Sequence, residues 1–234
     1  MTQDPPGSTD FGFQQVPWRD KARRVRAVFD SVAGRYDLMN DLMSAGAHRL
    51  WKQFALSLTG LNVGDQALDI AGGTGDLAAG LARQVGKSGL VVLADINASM
   101  LQHGRDRLID RGLVGNLHYV QANAEQLPFA DASLDALTCV YLFHELPPKV
   151  RPVVAAEIAR VLKPGGCFAL ADSIQPVDEP RLGRLLEAFP AYFHEPYFAT
   201  YAQTDLTELF GAAGLRLAGQ DAAFLTKAVL FVKT

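Results

Sequence analysis

Apolar residues fall in short runs, and stretches with helical spacing separate them along most of the chain. The runs near 66–70, 90–94, 117–120, 135–140, 167–172, 214–219 and 226–232 predict strands. Segments near 76–85, 98–110, 149–162, 181–189 and 204–213 predict the helices between them. Alternation of this kind implies a parallel sheet covered by helices on both faces. Lys163-Pro-Gly-Gly166 reads as a turn between a helix and a strand. A short loop joins the last two runs, which predicts a hairpin and one antiparallel edge strand. Upstream, 18–33 reads as a helix with Val25, Val28, Phe29 and Val32 on one face, and 36–43 and 48–58 as further helical pieces. Residues 1–17 hold Pro5, Pro6, Gly7, Gly12 and Pro17 and are expected to form a flexible arm.

With 234 residues, the rest of the chain is long enough for one domain with a full core. Hydrophobic residues make up 49% and charged residues 20%, the ordinary balance of a globular protein. A net charge of −3 argues against a broad nucleic-acid surface. The first ten residues are polar, so no secretory signal is expected there. No apolar stretch is long enough to predict a transmembrane helix. The two cysteines, Cys139 and Cys167, form no C-x-x-C pair and read as free thiols in a reducing cytoplasm.

The chemistry concentrates in Leu68-Asp-Ile-Ala-Gly-Gly-Thr-Gly-Asp76. A strand that ends in a glycine turn and feeds a helix sets backbone N–H groups and a helix N-terminus beside a ligand. Gly73 and Gly75 let that ligand approach the backbone, because no Cβ stands in the way. Twenty residues past Gly75, Asp95 closes the run 90–94, where a carboxylate can accept hydrogen bonds from ribose hydroxyls. The pattern points to a nucleoside-bearing cofactor. Gly73-Thr-Gly75-Asp-Leu-Ala78 fits the dinucleotide pattern G-x-G-x-x-G/A. Three features favour S-adenosylmethionine (SAM). Asp69 stands just ahead of the glycines, where it could hold the methionine end. Asp76 would repel a pyrophosphate. Gln121-Ala-Asn123-Ala124-Glu125 follows the third strand and offers a polar side chain to the adenine edge.

The run Phe29-Asp-Ser-Val-Ala-Gly-Arg-Tyr-Asp-Leu-Met-Asn-Asp-Leu-Met-Ser44, with His48-Arg-Leu-Trp51 after it, resembles the N-terminal signature of the UbiE-type ubiquinone/menaquinone biosynthesis C-methyltransferases. Asp69–Asp76, Leu93-Ala-Asp95-Ile-Asn-Ala-Ser-Met100, Val120-Gln-Ala-Asn-Ala-Glu125 and Arg160-Val-Leu-Lys-Pro-Gly-Gly166 continue the match. The resemblance implies an α/β, class I SAM-methyltransferase (Rossmann-like) fold. Its seven-stranded, mostly parallel sheet would carry one antiparallel edge strand and helices on both faces. It divides 18–234, a single domain, into a helical lid at 18–60, a cofactor-binding core at 61–175, and substrate-side helices with a hairpin at 176–234. It implies methyl transfer to a ring carbon of a prenylated quinol. Thr74, Asp95, Asn123 and Ala124 would contact the cofactor, beside Asp69, Gly73, Gly75 and Ile96. Tyr36, Met39, Asn40 and Met43 would roof the pocket. After the fourth strand the chain departs from the family: Val140 stands in place of a serine and His144 in place of an arginine. The segment 193–198 looks more like UbiE-related methyltransferases with a Phe-His-Glu-Leu-Pro motif, present here as Phe143-His-Glu-Leu-Pro147.

Methylation at carbon needs an electron-rich ring, and a base that takes the phenolic proton supplies it. His144 just past a strand end is the candidate base, with Glu145 to orient it. His194-Glu195 sits among Tyr192, Phe193, Tyr197, Phe198 and Tyr201, which reads as a lid over a flat substrate. With Tyr36, Asn40 and Tyr141, the residues His194, Tyr197 and Tyr201 form the expected substrate side. Each His–Glu pair is adjacent in sequence and projects in divergent directions, and no H-E-x-x-H is present, so no metal is expected, although spacing alone does not exclude one. His48, His103 and His118 stand outside any constellation. The basic cluster Arg19, Lys21, Arg23, Arg24 and Arg26 would help a cytoplasmic enzyme touch the inner face of a membrane. Alternatives at this stage are a SAM methyltransferase with another aromatic or lipid-like acceptor, a nicotinamide-dependent reductase and a non-catalytic SAM-binding protein.

Overall fold

The computed structural model describes residues 8–11, 14–17, 47–182, 197–223 and 225–234. Its main body is a seven-stranded sheet built from β3 (Gln66–Ile70), β4 (Leu90–Asp95), β5 (Leu117–Gln121), β6 (Leu134–Val140), β7 (Leu162–Ser173), β8 (Leu215–Ala223) and β9 (Thr226–Lys233). The strand order is β5-β4-β3-β6-β7-β9-β8. All neighbours pair in parallel except those of β9, which is antiparallel to both β7 and β8. The expected hairpin therefore supplies the one antiparallel strand, and that strand lies one place in from the edge. Within the segment expected to be an arm, β1 (Ser8–Phe11) and β2 (Gln14–Pro17) pair as a separate antiparallel hairpin.

Helices cover both faces. On one lie α1 (Ala47–Leu58), α2 (Asp76–Val85) and α3 (Ala98–Asp110). Their core includes Ala67, Ala78, Leu81, Val85, Val91, Leu93 and Leu108. On the other face α4 (Arg151–Val161) and α6 (Leu206–Ala212) enclose Leu68, Ile70, Leu137, Val154, Ile158, Phe168, Phe210 and Phe231. Alternate residues of β3 thus enter opposite cores, as the two-residue period of a strand requires. A short helix α5 (Phe198–Ala202) and a single turn at Phe143–Glu145 complete the substrate end; neither was expected from the sequence.

Local chemistry accounts for the boundaries. Asn97 caps α3 by accepting from the Ser99 and Met100 amides, and Asp205 caps α6 by accepting from Thr207 and Glu208. The expected helix at 149–162 is shorter, because Lys163 precedes Pro164 and is pushed to extended backbone. The Lys163–Gly166 turn survives inside β7 as an insertion: Leu134 pairs with Leu162, and Ala136 with Cys167. Lys163 Nζ then reaches both Asp135 oxygens at 2.8 Å. Of the expected helix at 181–189, residues 183–189 lie outside the described residues; Pro180–Leu182 form a single turn.

The chain runs outward through β3, β4 and β5, then returns to lay β6 on the other side of β3. That reversal opens a crevice at the carboxyl ends of β3 and β6, the place where such sheets bind ligands. The floor beneath β6 is aromatic. Phe210 lies 4.5 Å from Phe231 and 5.1 Å from Phe143, ring centre to ring centre. Phe210→Ala should lower stability by about 3–5 kcal/mol in denaturant unfolding, whereas a loss below about 1 kcal/mol would mean that this core collapses freely.

Candidate active site

The loop after β3 is held in an unusual shape. Ala71 and Gly73 both have φ 53°, and Gly75 has φ 80°. The Gly72 amide donates to the Ala94 carbonyl at 3.2 Å, and the Gly75 amide to the Gly72 carbonyl at 2.8 Å. Two contacts forbid larger residues. A Cβ on Gly72 would lie 2.2 Å from Leu93 Cδ1 and 2.5 Å from Asp69 Oδ2. A Cβ on Gly104, in α3, would lie 2.9 Å from the Gly73 carbonyl, so α3 presses directly on the loop.

Asp95 and Asp69 serve that loop differently. Asp95, half-buried at the end of β4, accepts from the Gly73 amide at 2.9 Å and the Asn97 amide at 2.8 Å. The Ile96 amide also donates to it, and of the roughly four acceptor positions of a carboxylate about one remains for a ribose hydroxyl. Burial pushes its pKa up. Asp69 is 1% exposed, with both oxygens turned inward. Thr138 Oγ1 donates to one at 2.8 Å and the Ala78 amide to the other at 3.2 Å. Burial pushes its pKa up to about 7, against the pull of those two hydrogen bonds.

Asp76 does not carry a bare charge. Lys52 Nζ sits 2.9 Å from it, Arg107 pairs with it, and Arg111 lies at 3.9 Å. Burial pushes the Asp76 pKa up, but Lys52 and Arg107 outweigh it and hold the carboxyl below its ordinary value. The expected repulsion of a pyrophosphate is therefore corrected, since matched cations cancel it. Arg107 also donates to the Thr74 carbonyl at 2.9 Å and braces the loop from α3.

The other expected cofactor residues line the same end of the sheet. Ile96 is 41% exposed beside Asp95, an unusual setting for an isoleucine and a ready apolar face for a base. Asn123 is exposed, and its side chain accepts from the Glu125 amide at 3.1 Å. Ala124 packs against the core. Val140 closes β6 and packs with Ala55, Leu77 and Ala171. The tight glycine turn at the end of β3, the Asp95 carboxylate beside it and the exposed Ile96 fit an adenosyl group.

The substrate end is built on the turn after β6. Tyr141 has φ 55°, a strained value for a bulky residue, and its hydroxyl lies 2.6 Å from Thr226 Oγ1. His144 is buried, and its Nδ1 lies 2.6 Å from Asp172 Oδ1. Glu145, expected to orient the histidine, is 45% exposed with Oε1 3.8 Å from Nε2. The closer and buried partner is Asp172. The sequence reading missed it, although an acidic residue ending an apolar run was the same signal that marked Asp95. Arg151, also missed, is fully buried. It donates to the Phe143 and Tyr197 carbonyls at 3.0 and 2.9 Å and to Thr204 Oγ1 at 3.0 Å. Tyr201 does not form a lid. It is fully buried, lies 6.2 Å from the His144 ring and donates to the Ser173 carbonyl at 2.8 Å. Tyr197 lies beside it, at the start of α5. Tyr36, Met39, Asn40, Met43, His194 and Glu195 lie outside the described residues. A separate cavity of about 630 Å³ borders Gln175, Asp178, Thr204, Gln220 and Lys227 and includes none of the glycine-loop residues.

A model of the ubiE/COQ5 methyltransferase family matches residues 18–201. The chain belongs to that family. Ubiquinone/menaquinone biosynthesis C-methyltransferase UbiE from Cellvibrio japonicus is 53% identical over 172 residues, which is 74% of this chain and 68% of the relative. Among solved structures, a chain from the Haloferax volcanii complex with the Trm112 methyltransferase activator superposes with a TM-score of 0.69. It has 23% identity and covers 89% of this chain and 96% of its own. A SAM-dependent methyltransferase from Aquifex aeolicus gives a TM-score of 0.61 at 21% identity, over 78% and 89% of the two chains. These two establish the fold, a class I methyltransferase sheet. As a member of the ubiE/COQ5 family, the protein is a methyltransferase that uses SAM, and the reductase reading is set aside.

The state of Asp69 predicts a pH dependence. Its folded pKa of about 7 lies above the ordinary 3.8. Its contribution to stability is therefore complete below the ordinary value and is lost as pH rises through 7. Wild-type protein should lose on the order of 2–3 kcal/mol between about pH 5 and about pH 8 from this group. Asp69→Asn keeps the Ala78 amide on its oxygen and donates from its NH₂ group to a reversed Thr138 hydroxyl, and it should flatten that slope in denaturant titrations. An unchanged slope would locate the titrating group elsewhere.

Proposed function

We propose that this methyltransferase C-methylates the ring of a prenylated quinol in ubiquinone or menaquinone biosynthesis. One observation carries the reading. In a chain half identical to a UbiE C-methyltransferase, the glycine loop and His144 both follow the carboxyl ends of neighbouring strands, β3 and β6. Bound SAM supplies a methyl group on a sulfonium, whose charge disperses as the methyl leaves. The chain's own part is to position, shield and move a proton. Asp95 accepts a ribose hydroxyl, Ile96 and Ala124 flank the adenine, and Asn123 meets its polar edge. Gly73, Thr74 and Gly75 bring backbone against the methionine end, while Asp69 shapes the loop from below. Val140 borders the cofactor, and Tyr141 faces the acceptor, with Tyr197 at its margin.

His144 takes the phenolic proton of the quinol. The oxygen lone pairs then feed the ring carbon that would attack the methyl and displace a neutral thioether; the ring carbon gives its proton to water, and the His144 imidazolium returns a proton to the oxygen. A second reading, another aromatic acceptor, is favoured by Val140 and His144 standing where the family resemblance expects serine and arginine.

Lipid extract from cells lacking the quinone C-methyltransferase provides the test. With labelled SAM, the enzyme should add one methyl group to a demethyl quinone, read by mass spectrometry; label on some other aromatic would move the assignment to the second reading. His144→Ala should cut turnover by about 10²–10⁴-fold and leave SAM affinity intact. Asp95→Ala should instead weaken SAM binding by about 1–3 kcal/mol in calorimetry. Equal loss of turnover and SAM binding in His144→Ala would make that histidine structural.

Among the described residues, no helix is long and apolar enough to cross a membrane. The basic run Arg19, Lys21, Arg23, Arg24 and Arg26 lies outside them, and we assign it peripheral contact with anionic lipid. Binding to anionic vesicles should fall as salt rises and vanish when the five are changed to glutamine. Retention after that change would end the assignment.

A further inference from the structure

Asp172 belongs to β7 and is fully buried. Its carboxyl receives three groups. The Phe143 amide donates to Oδ2 at 2.8 Å and the Ser173 amide to Oδ1 at 2.7 Å, while His144 Nδ1 faces Oδ1 at 2.6 Å. Two of these partners are backbone amides, which can only donate. As a carboxylate it only accepts, and the imidazole nitrogen that faces it is then the one that carries a proton.

We propose that Asp172 is the positioning residue of this active site. It keeps the proton on His144 Nδ1 and makes Nε2 the atom that exchanges a proton with the substrate. The proposal deepens the reading of His144 as the base and rests on it.

The surroundings fix the ring as well as the tautomer. Tyr141, Phe198 and Tyr201 meet it edge-on, at 6.1, 6.4 and 6.2 Å between ring centres. Arg151 Nε holds the Phe143 carbonyl at 3.0 Å and so pins the turn that carries the histidine. Among the described residues, the titratable groups around the pair are the Glu145 carboxyl, 3.8 Å from Nε2, the phenols of Tyr141 and Tyr201, the Arg151 guanidinium over the Tyr201 ring, and the Cys139 thiol on β6. Asp172 is the carboxylate nearest the ring. It also stabilises the imidazolium that forms when Nε2 accepts a proton.

Asp172→Asn separates this role from simple support. The single amide oxygen can serve only one of the two backbone donors, which bind separate carboxyl oxygens; with that oxygen kept on the Phe143 amide, the NH₂ group takes the Oδ1 place, gives up the Ser173 bond and drives the histidine proton to Nε2. Turnover should fall by about 10²–10⁴-fold with SAM affinity unchanged. The rising limb of the residual pH–rate profile should move to lower pH, because the anion that favours imidazolium is gone. In a His144→Ala background the same change should cost no further turnover. The unaltered enzyme gives a readout that survives even if the variant fails to fold. Nitrogen–proton NMR of labelled histidine should find the neutral ring protonated at Nδ1. A proton on Nε2 would overturn the proposal, as would a full additional loss in the His144→Ala background. Should His144→Ala keep wild-type turnover, the base reading falls, while the NMR tautomer still decides what Asp172 does to the ring.

Discussion

One buried carboxylate ties the centre of this molecule together. Asp69 reaches sideways to Thr138 on β6 and upward to the Ala78 amide on α2. It thereby joins the two strands between which the chain reverses direction and anchors the helix that starts at the glycine loop. Its burial is unfavourable, which is why its pKa rises to about 7. Gly72 packs so tightly on it that even a methyl group would collide. The loop, the first turn of α2 and the crevice above β3 and β6 all depend on this contact. Lys52, Arg107 and Arg111 gather around Asp76 one turn farther on and brace the same corner from α1 and α3.

The acceptor side repeats the principle with different groups. Asp172 holds the turn after β6 through the Phe143 amide, and Arg151 holds the carbonyl of the same residue. A buried carboxylate and a buried guanidinium thus clamp one short segment that carries His144. Buried charges of this kind contribute less to net stability than to keeping a single geometry, and breaking one leaves the other uncompensated. The strained backbone at Ala71 and Tyr141 fits the same picture. Each residue directly follows a central strand, β3 or β6, where the surrounding packing can hold a conformation that an isolated chain would avoid.

Much of this was legible in the residues. The apolar runs marked all seven strands of the main sheet, and the glycine loop with Asp95 marked the cofactor crevice. The family resemblance carried the chemistry. Other features were not legible. The turn at Phe143–Glu145 is too short to leave a periodic signal. Asp172 and Arg151 look like ordinary charged residues until strands and helices far apart in sequence converge on them. Read along the chain, Asp76 carries a charge that repels a pyrophosphate, because its partners Lys52, Arg107 and Arg111 lie far from it in sequence.

By itself the sequence determined the alternation of strands and helices, the register of the glycine loop against its helix, and the pairing of that loop with an acidic residue one strand later. These are local properties, fixed by side-chain period, by the φ freedom of glycine and by short spacing. Only the tertiary structure decided that the last strand inserts inside the edge, that Asp172 rather than Glu145 faces His144, and that Tyr201 walls the histidine instead of covering a substrate. Those outcomes depend on which distant groups share a dry interior, where each hydrogen-bond donor must find an acceptor among whatever the fold brings near.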